Sequence, residues 1–232
     1  MTRHLPIALL AGALLAAPAA AAERNYSVTD FNQIRITGPF KVRLTTGVAP
    51  FARASGSAAA LDSVAIEVNG RILSVRRNSS ARSGYPGQPA GPVEIEIGGH
   101  DLAIAGVIGS GSLDINAVKG MAFSLSVEGA GSARVGELAV DQLKLWIAGT
   151  GSASLAGSAK SGTLIVMGMA ALDGSALTID NVNLGAEGPS MVRLTVTDTA
   201  KVDAKGVSQI MLEGSPACTV KATGSATVSG CR

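Results

Sequence analysis

Few side chains in this sequence could do chemistry, and their spacing decides which chemistry is open. The cysteines Cys218 and Cys231 are the only two, both near the C-terminus with twelve residues between them. In an oxidising compartment such a pair is expected to close a disulfide. His100 is the only histidine outside the apolar N-terminal segment. A metal site built on several histidines is therefore excluded, and no metal ligand set is expected. Ser-His-Asp hydrolysis through His100 stays formally open, but no Gly-x-Ser-x-Gly elbow precedes a helix, and a lone surface histidine is the expectation.

Carboxylates are the other source of chemistry, because glycan-cleaving solenoids need paired acids or acids that hold calcium beside a base. The position of Asp114 is occupied in later repeats by Arg134, Ser154, Asp173, Arg193 and Met211, so no acidic column forms. Asp141 and Asp180 fall at equivalent positions with Ser161 between them, which predicts carboxylates about 9–10 Å apart. That is the upper end of an inverting pair, but no further acid or base accompanies it. Ser112, Ser132 and Ser152 form a ladder that reads as small polar turn residues, not nucleophiles. Glu128 and Glu187 read as solvated turn residues, and the Gly-Gly-x-Gly-x-Asp repeat of calcium-binding solenoids is absent. No catalytic residue and no cofactor is assigned.

The elements that would position these groups follow from repetition. Units begin at Gly109, Gly129, Gly149, Gly168, Gly188, Gly206 and Gly224, at intervals of 20, 20, 19, 20, 18 and 18 residues. This is the period of a solenoid rung. Within the units apolar residues alternate, as in Leu113/Ile115, Phe123/Leu125/Val127 and Leu143/Leu145/Ile147, which puts one face of each strand inward. Helices are excluded by the same pattern, since the chain has 29 glycines and they recur at unit starts. The expected fold is all-β, a parallel β-helix with rungs of about 18–20 residues stacked about 4.8 Å apart.

Earlier segments alternate as well, at Phe31–Ile36, Phe40–Leu44, Val64–Val68, Ile72–Val75 and Val93–Ile97. Asn69-Gly70 predicts a hairpin that caps the first rung. Residues 78–92, rich in Gly, Pro and Ser, are expected to form a flexible surface loop.

The chain opens with Thr2-Arg3-His4, an apolar run from Leu5 to Ala17 and small residues to Ala22. That order predicts a signal peptide over 1–22 and a mature start near Glu23. Residues 23–232 are then one solenoid domain with 18 basic and 17 acidic residues, a balance of +1. Such a surface argues against nucleic acid. No apolar run long enough to span a bilayer follows the signal.

The order of FNQIRITGPFKVRLTTG, AIEVNGRILSV and the GSGS, GAGS and GTGS units resembles the head GIN domain of putative auto-transporter adhesins, a family of exported bacterial proteins. The resemblance covers nearly all of residues 28–230. It implies a right-handed parallel β-helix in a cell-envelope or extracellular setting, and it carries no catalytic residues. Only a partial rung follows Gly224, which leaves no room for a translocator barrel. The expected locations are therefore the periplasm, free secretion, or a surface reached through another protein.

Outward positions of the later rungs hold Lys144 and Trp146, then Thr163 and Ile165, then Asn183. An exposed tryptophan among polar side chains is a candidate contact surface for a glycan or an envelope protein. The alternative is that a terminal segment, the 78–92 loop or a second subunit in a homo-oligomer covers Trp146. The functional expectation is a non-enzymatic surface for recognition, adhesion or envelope assembly. A polysaccharide-processing enzyme and a purely structural envelope component are the alternatives.

Overall fold

The computed structural model describes residues 22–79 and 91–232. The expected signal segment through Ala21, and residues 80–90 of the expected loop, lie outside this range. The chain forms a β-solenoid of about six turns. Five strands, β9 (Ser112–Gly129), β10 (Ser132–Gly149), β11 (Ser152–Gly168), β12 (Ala171–Glu187) and β13 (Met191–Gly206), each bend through a rung. They pair in parallel and in sequence order.

Their alternating side chains divide cleanly: Leu113, Ile115, Phe123, Leu125, Val127 and the equivalent residues above them are buried in one continuous core. Each rung alone would leave that apolar face and both backbone edges unpaired, so stacking satisfies side chains and ladder hydrogen bonds together. Between rungs the chain turns at a column of glycines running from Gly38 through Gly109 and each later unit start to Gly224, with φ from +80° to +117°. L-residues avoid this region. The next rung's glycine also packs directly on the one below, where a Cβ at Gly168 would lie 2.5 Å from the Gly149 carbonyl oxygen.

The N-terminal end departs from chain order. The rung made by β2 (Gln33–Thr37) and β3 (Lys41–Thr46) lies between two later segments. On one side are β8 (Ile104–Gly109) and β9, and on the other β6 (Ile72–Arg77) and β7 (Glu94–Gly99). The expected hairpin forms between β5 (Val64–Asn69) and β6, with Gly70 at φ +63°, and β5 closes one sheet edge.

The other edge is closed by two antiparallel strands that the sequence analysis did not identify, β4 (Phe51–Gly56) on β7 and β1 (Ala22–Tyr26) on β4. Arg24 pairs with Asp62 at 2.7 Å and Glu23 with Arg53 at 2.6 Å, holding β1 in place. Asp62 ends a short helix, α1 (Ala58–Asp62), which buries Ala60 and Leu61 against the core.

The C-terminal end has less cover. The last strands are β14 (Gln209–Glu213), β15 (Ala217–Gly224) and β16 (Thr227–Ser229), and the inward-facing Val220 is 43% exposed. The tail bends so that Cys218 and Cys231 come within 5.6 Å at Cα and are joined as a disulfide. Closing this loop restricts the unfolded chain and stabilises by about 3 kcal/mol. Thiol titration of denatured, unreduced protein is expected to give zero. Cys218→Ser/Cys231→Ser should speed amide exchange in β15 and β16 before it affects β10, and uniform loosening of all rungs would contradict this local role.

Candidate functional site

Two outward columns of one sheet carry the predicted contact residues. Lys144 aligns with Ser124 below and Thr163 above, and the column continues through Asn183 and Lys201 to Thr219. Trp146 aligns with Ser126 and Ile165, and Gly185 then leaves a gap beside Asn183. All five predicted residues thus share one face, in two rows two residues apart. Trp146 points outward and is 40% exposed, while Ile165 is half-buried beside it. Alternation dictates this outcome, since Leu145 and Ile147 on either side of Trp146 are buried.

The face extends further than the sequence analysis placed it. Asn181, Asn183, Thr199, Lys201 and Thr219 line a shallow groove of about 320 Å³. Thr199 donates its hydroxyl hydrogen to the Asn181 side-chain oxygen, which leaves the amide N–H groups of Asn181 for a ligand. Continuing the Lys144 column by two more rungs would have found Lys201 and Thr219.

The sheet that leaves the glycine corner holds a larger trough of about 510 Å³, lined by Ser112, Ser132 and Ser152 beside Asp114, Arg134, Asp173 and Arg193. Its charged column follows the expected alignment and continues below Asp114 to Arg43 and Glu96. Basic and acidic side chains therefore mostly alternate, and the acids do not converge. Asp173 is held by the Ser175 hydroxyl and backbone N–H, which lower its pKa. Among the described residues no hydrogen bond joins the Ser112, Ser132 or Ser152 side chain to a basic side chain, and His100 pairs with Asp30 at 3.1 Å and lies six residues along from Glu94, the residue on the Ser112 row, or about 20 Å.

One sequence-derived alignment is corrected. Lys160, not Ser161, stands between Asp141 and Asp180, as the pairings Val140 with Ala159 and Ala159 with Ile179 require. Lys160 Nζ lies 2.8 Å from Asp141 Oδ1, and this hydrogen bond, with the charges of Asp141 and Asp180, raises the lysine pKa. Asp141 is thus ion-paired with Lys160, while Asp180 accepts a hydrogen bond from the Thr197 hydroxyl at 3.1 Å. The cause is local. Alignment with β10 shifts by one residue between Leu155 and Gly157, and Gly157 absorbs the bend at φ +121°.

A family model described as putative auto-transporter adhesin, head GIN domain, matches residues 30–216. The chain belongs to the head GIN domain family. No curated protein matches the sequence. Among solved structures, this head GIN chain is similar to a putative adhesin from Bacteroides fragilis NCTC 9343, with TM-score 0.78, 20% identity, and 90% of this chain and 95% of that one covered. It is also similar to a putative lipid binding protein from Parabacteroides distasonis ATCC 8503, with TM-score 0.70, 16% identity and coverage of 91% and 96%. A putative adhesin from Parabacteroides merdae ATCC 43184 has TM-score 0.67, 18% identity and coverage of 91% and 96%. At these identities the likeness is one of fold.

In this head GIN solenoid Trp146 stands outward, 40% exposed, between the buried Leu145 and Ile147. Trp146→Ala is expected to lower stability by no more than about 1 kcal/mol, against about 3–5 for a buried aromatic. Chemical denaturation measures the difference, and a loss in the higher range would make Trp146 a core residue.

Proposed function

We propose that this protein is an exported, non-enzymatic adhesion and recognition module that binds an envelope glycan along its Trp146 face. The observation that carries the reading is the continuity of that face. A tryptophan, two lysines, two asparagines and three threonines stand in rows on one continuous parallel sheet. Sugars have apolar ring faces that stack on aromatic rings and hydroxyls that pair with amide and hydroxyl side chains. Among the described residues neither Lys144 nor Lys201 forms an ion pair, so both are available to acidic sugars. The family's adhesin description supports an exported or surface setting, and among the described residues no helix is long and apolar enough to cross a membrane.

A glycan array probed with the secreted chain tests the binding. Trp146→Ala and Asn183→Ala are each expected to weaken the strongest hit by about tenfold or more with folding intact. An empty array with the chain retained in isolated envelopes would favour a purely structural component. Depolymerisation of an envelope polysaccharide would make it an enzyme. Mass spectrometry of the secreted chain should find its N-terminus at or within a few residues of Glu23, and material retaining Leu5–Ala17 would reject export through a cleaved signal.

A further inference from the structure

Along the glycine corner the outward residues change character. At the position after the unit glycine, early rungs carry Ser110, Ala130 and Thr150, while the next three carry Met169, Pro189 and Val207. Gly168, Gly188 and Gly206 stack directly, so these three apolar residues form a ridge, with Met169 65% and Val207 58% exposed. Met191, 48% exposed, widens it onto the adjoining strand. A contiguous apolar ridge rimmed by charged side chains marks a contact site.

The charges beside the ridge indicate what covers it. Glu128 immediately precedes Gly129 and Arg134 follows it by five residues, and Glu187 and Arg193 repeat this arrangement around Gly188. All four side chains are exposed, and none forms a hydrogen bond or ion pair with the described residues within 4 Å. Arg193 interacts with Asp173 of the neighbouring rung only at longer range. On both rungs, then, an acid stands on one side of the corner and a base on the other. A two-fold axis parallel to the solenoid axis lays the ridge against itself and sets each glutamate opposite the arginine of the same rung in a second copy, twice over. A lipid surface would favour a net basic flank, whereas these flanks are balanced.

We propose that the glycine corner is a homodimer interface in which two solenoids lie side by side and parallel, burying Met169, Pro189 and Val207 between reciprocal Glu187–Arg193 and Glu128–Arg134 pairs. This surface adjoins the Trp146 face, with the Glu128–Glu187 column standing two residues along from the Trp146 column, but its test does not depend on the glycan reading.

Sedimentation equilibrium of the secreted chain, from micromolar to hundreds of micromolar, tests it. A concentration-dependent monomer–dimer equilibrium is expected. Met169→Asp/Val207→Asp should raise the dissociation constant by about tenfold or more, with circular dichroism unchanged because both side chains are exposed. Glu187→Arg should weaken the dimer, and Glu187→Arg/Arg193→Glu should restore it, since reversing both charges restores the reciprocal pairs. A monomer at every concentration overturns the proposal, as does a dimer indifferent to the aspartates or a charge swap that does not rescue. Binding of the monomer to phospholipid vesicles, abolished by the same aspartates, would assign the ridge to a membrane instead.

Discussion

Gly149→Ala is expected to destabilise the protein by about 3 kcal/mol or more, although it adds one methyl group at an exposed turn. Gly149 sits at φ +107°, where an L-residue is strained whatever the space around it. Its added Cβ would also lie 2.6 Å from the Gly129 carbonyl oxygen and 3.2 Å from the Gly129 carbonyl carbon. That contact is backbone against backbone, so no side-chain rotation relieves it, and the rung must lift from its neighbour. Gly185→Ala is the control. Its φ is not positive, and the nearest atom to its added Cβ is Ile165 Cγ1 at 4.0 Å. It should be neutral or slightly stabilising, because alanine restricts the unfolded chain more than glycine does. Thermal and denaturant unfolding of the two variants separate the cases, and equal effects would mean that the glycine column is a matter of composition only.

Phe123→Ala should cost about 3–5 kcal/mol. Phe123 is 1% exposed and occupies an inward column shared with Leu143, Gly162 and Val182 on later rungs. That column is not uniform, because Gly162 leaves space that the Ile179 side chain enters, its Cδ1 3.3 Å from the place of a Cβ. Rungs therefore interlock through unequal side chains, and a cavity at Phe123 has no long side chain directly above it to collapse inward except Leu143. In a stacked array the loss is felt first by the rungs that share the interface. Trp146, the single tryptophan, lies on the adjoining rung, so its fluorescence should report the lowered midpoint directly. A change under about 1 kcal/mol would show that the interior repacks as a fluid, not as a close-packed core.

What the sequence determined by itself is whatever depends on neighbours along the chain. Period-two alternation set which side chains of β9 to β13 enter the core, and hence that Trp146 faces outward while Leu145 does not. Recurring glycines marked the corner, because only glycine accepts the positive φ of the turn and the backbone contact above it. With only two cysteines, the pairing of Cys218 with Cys231 had one possible form.

Tertiary structure alone decided where distant segments meet. The β6–β7 rung lies outside the β2–β3 rung that precedes it in the chain, and β1 and β4 add antiparallel cover, because an exposed solenoid end must satisfy its edge by whatever segment can reach it. A single residue absorbed at Gly157 placed Lys160 between Asp141 and Asp180 and gave Asp141 an ion-pair partner that the linear alignment did not show. The Met169 ridge and its flanking charges were present in the sequence, but they become a surface only when rungs about twenty residues apart are set one strand spacing apart. Side-chain direction is a local property of the strand, whereas register is set by hydrogen bonds and corner geometry between segments that the linear order does not bring together.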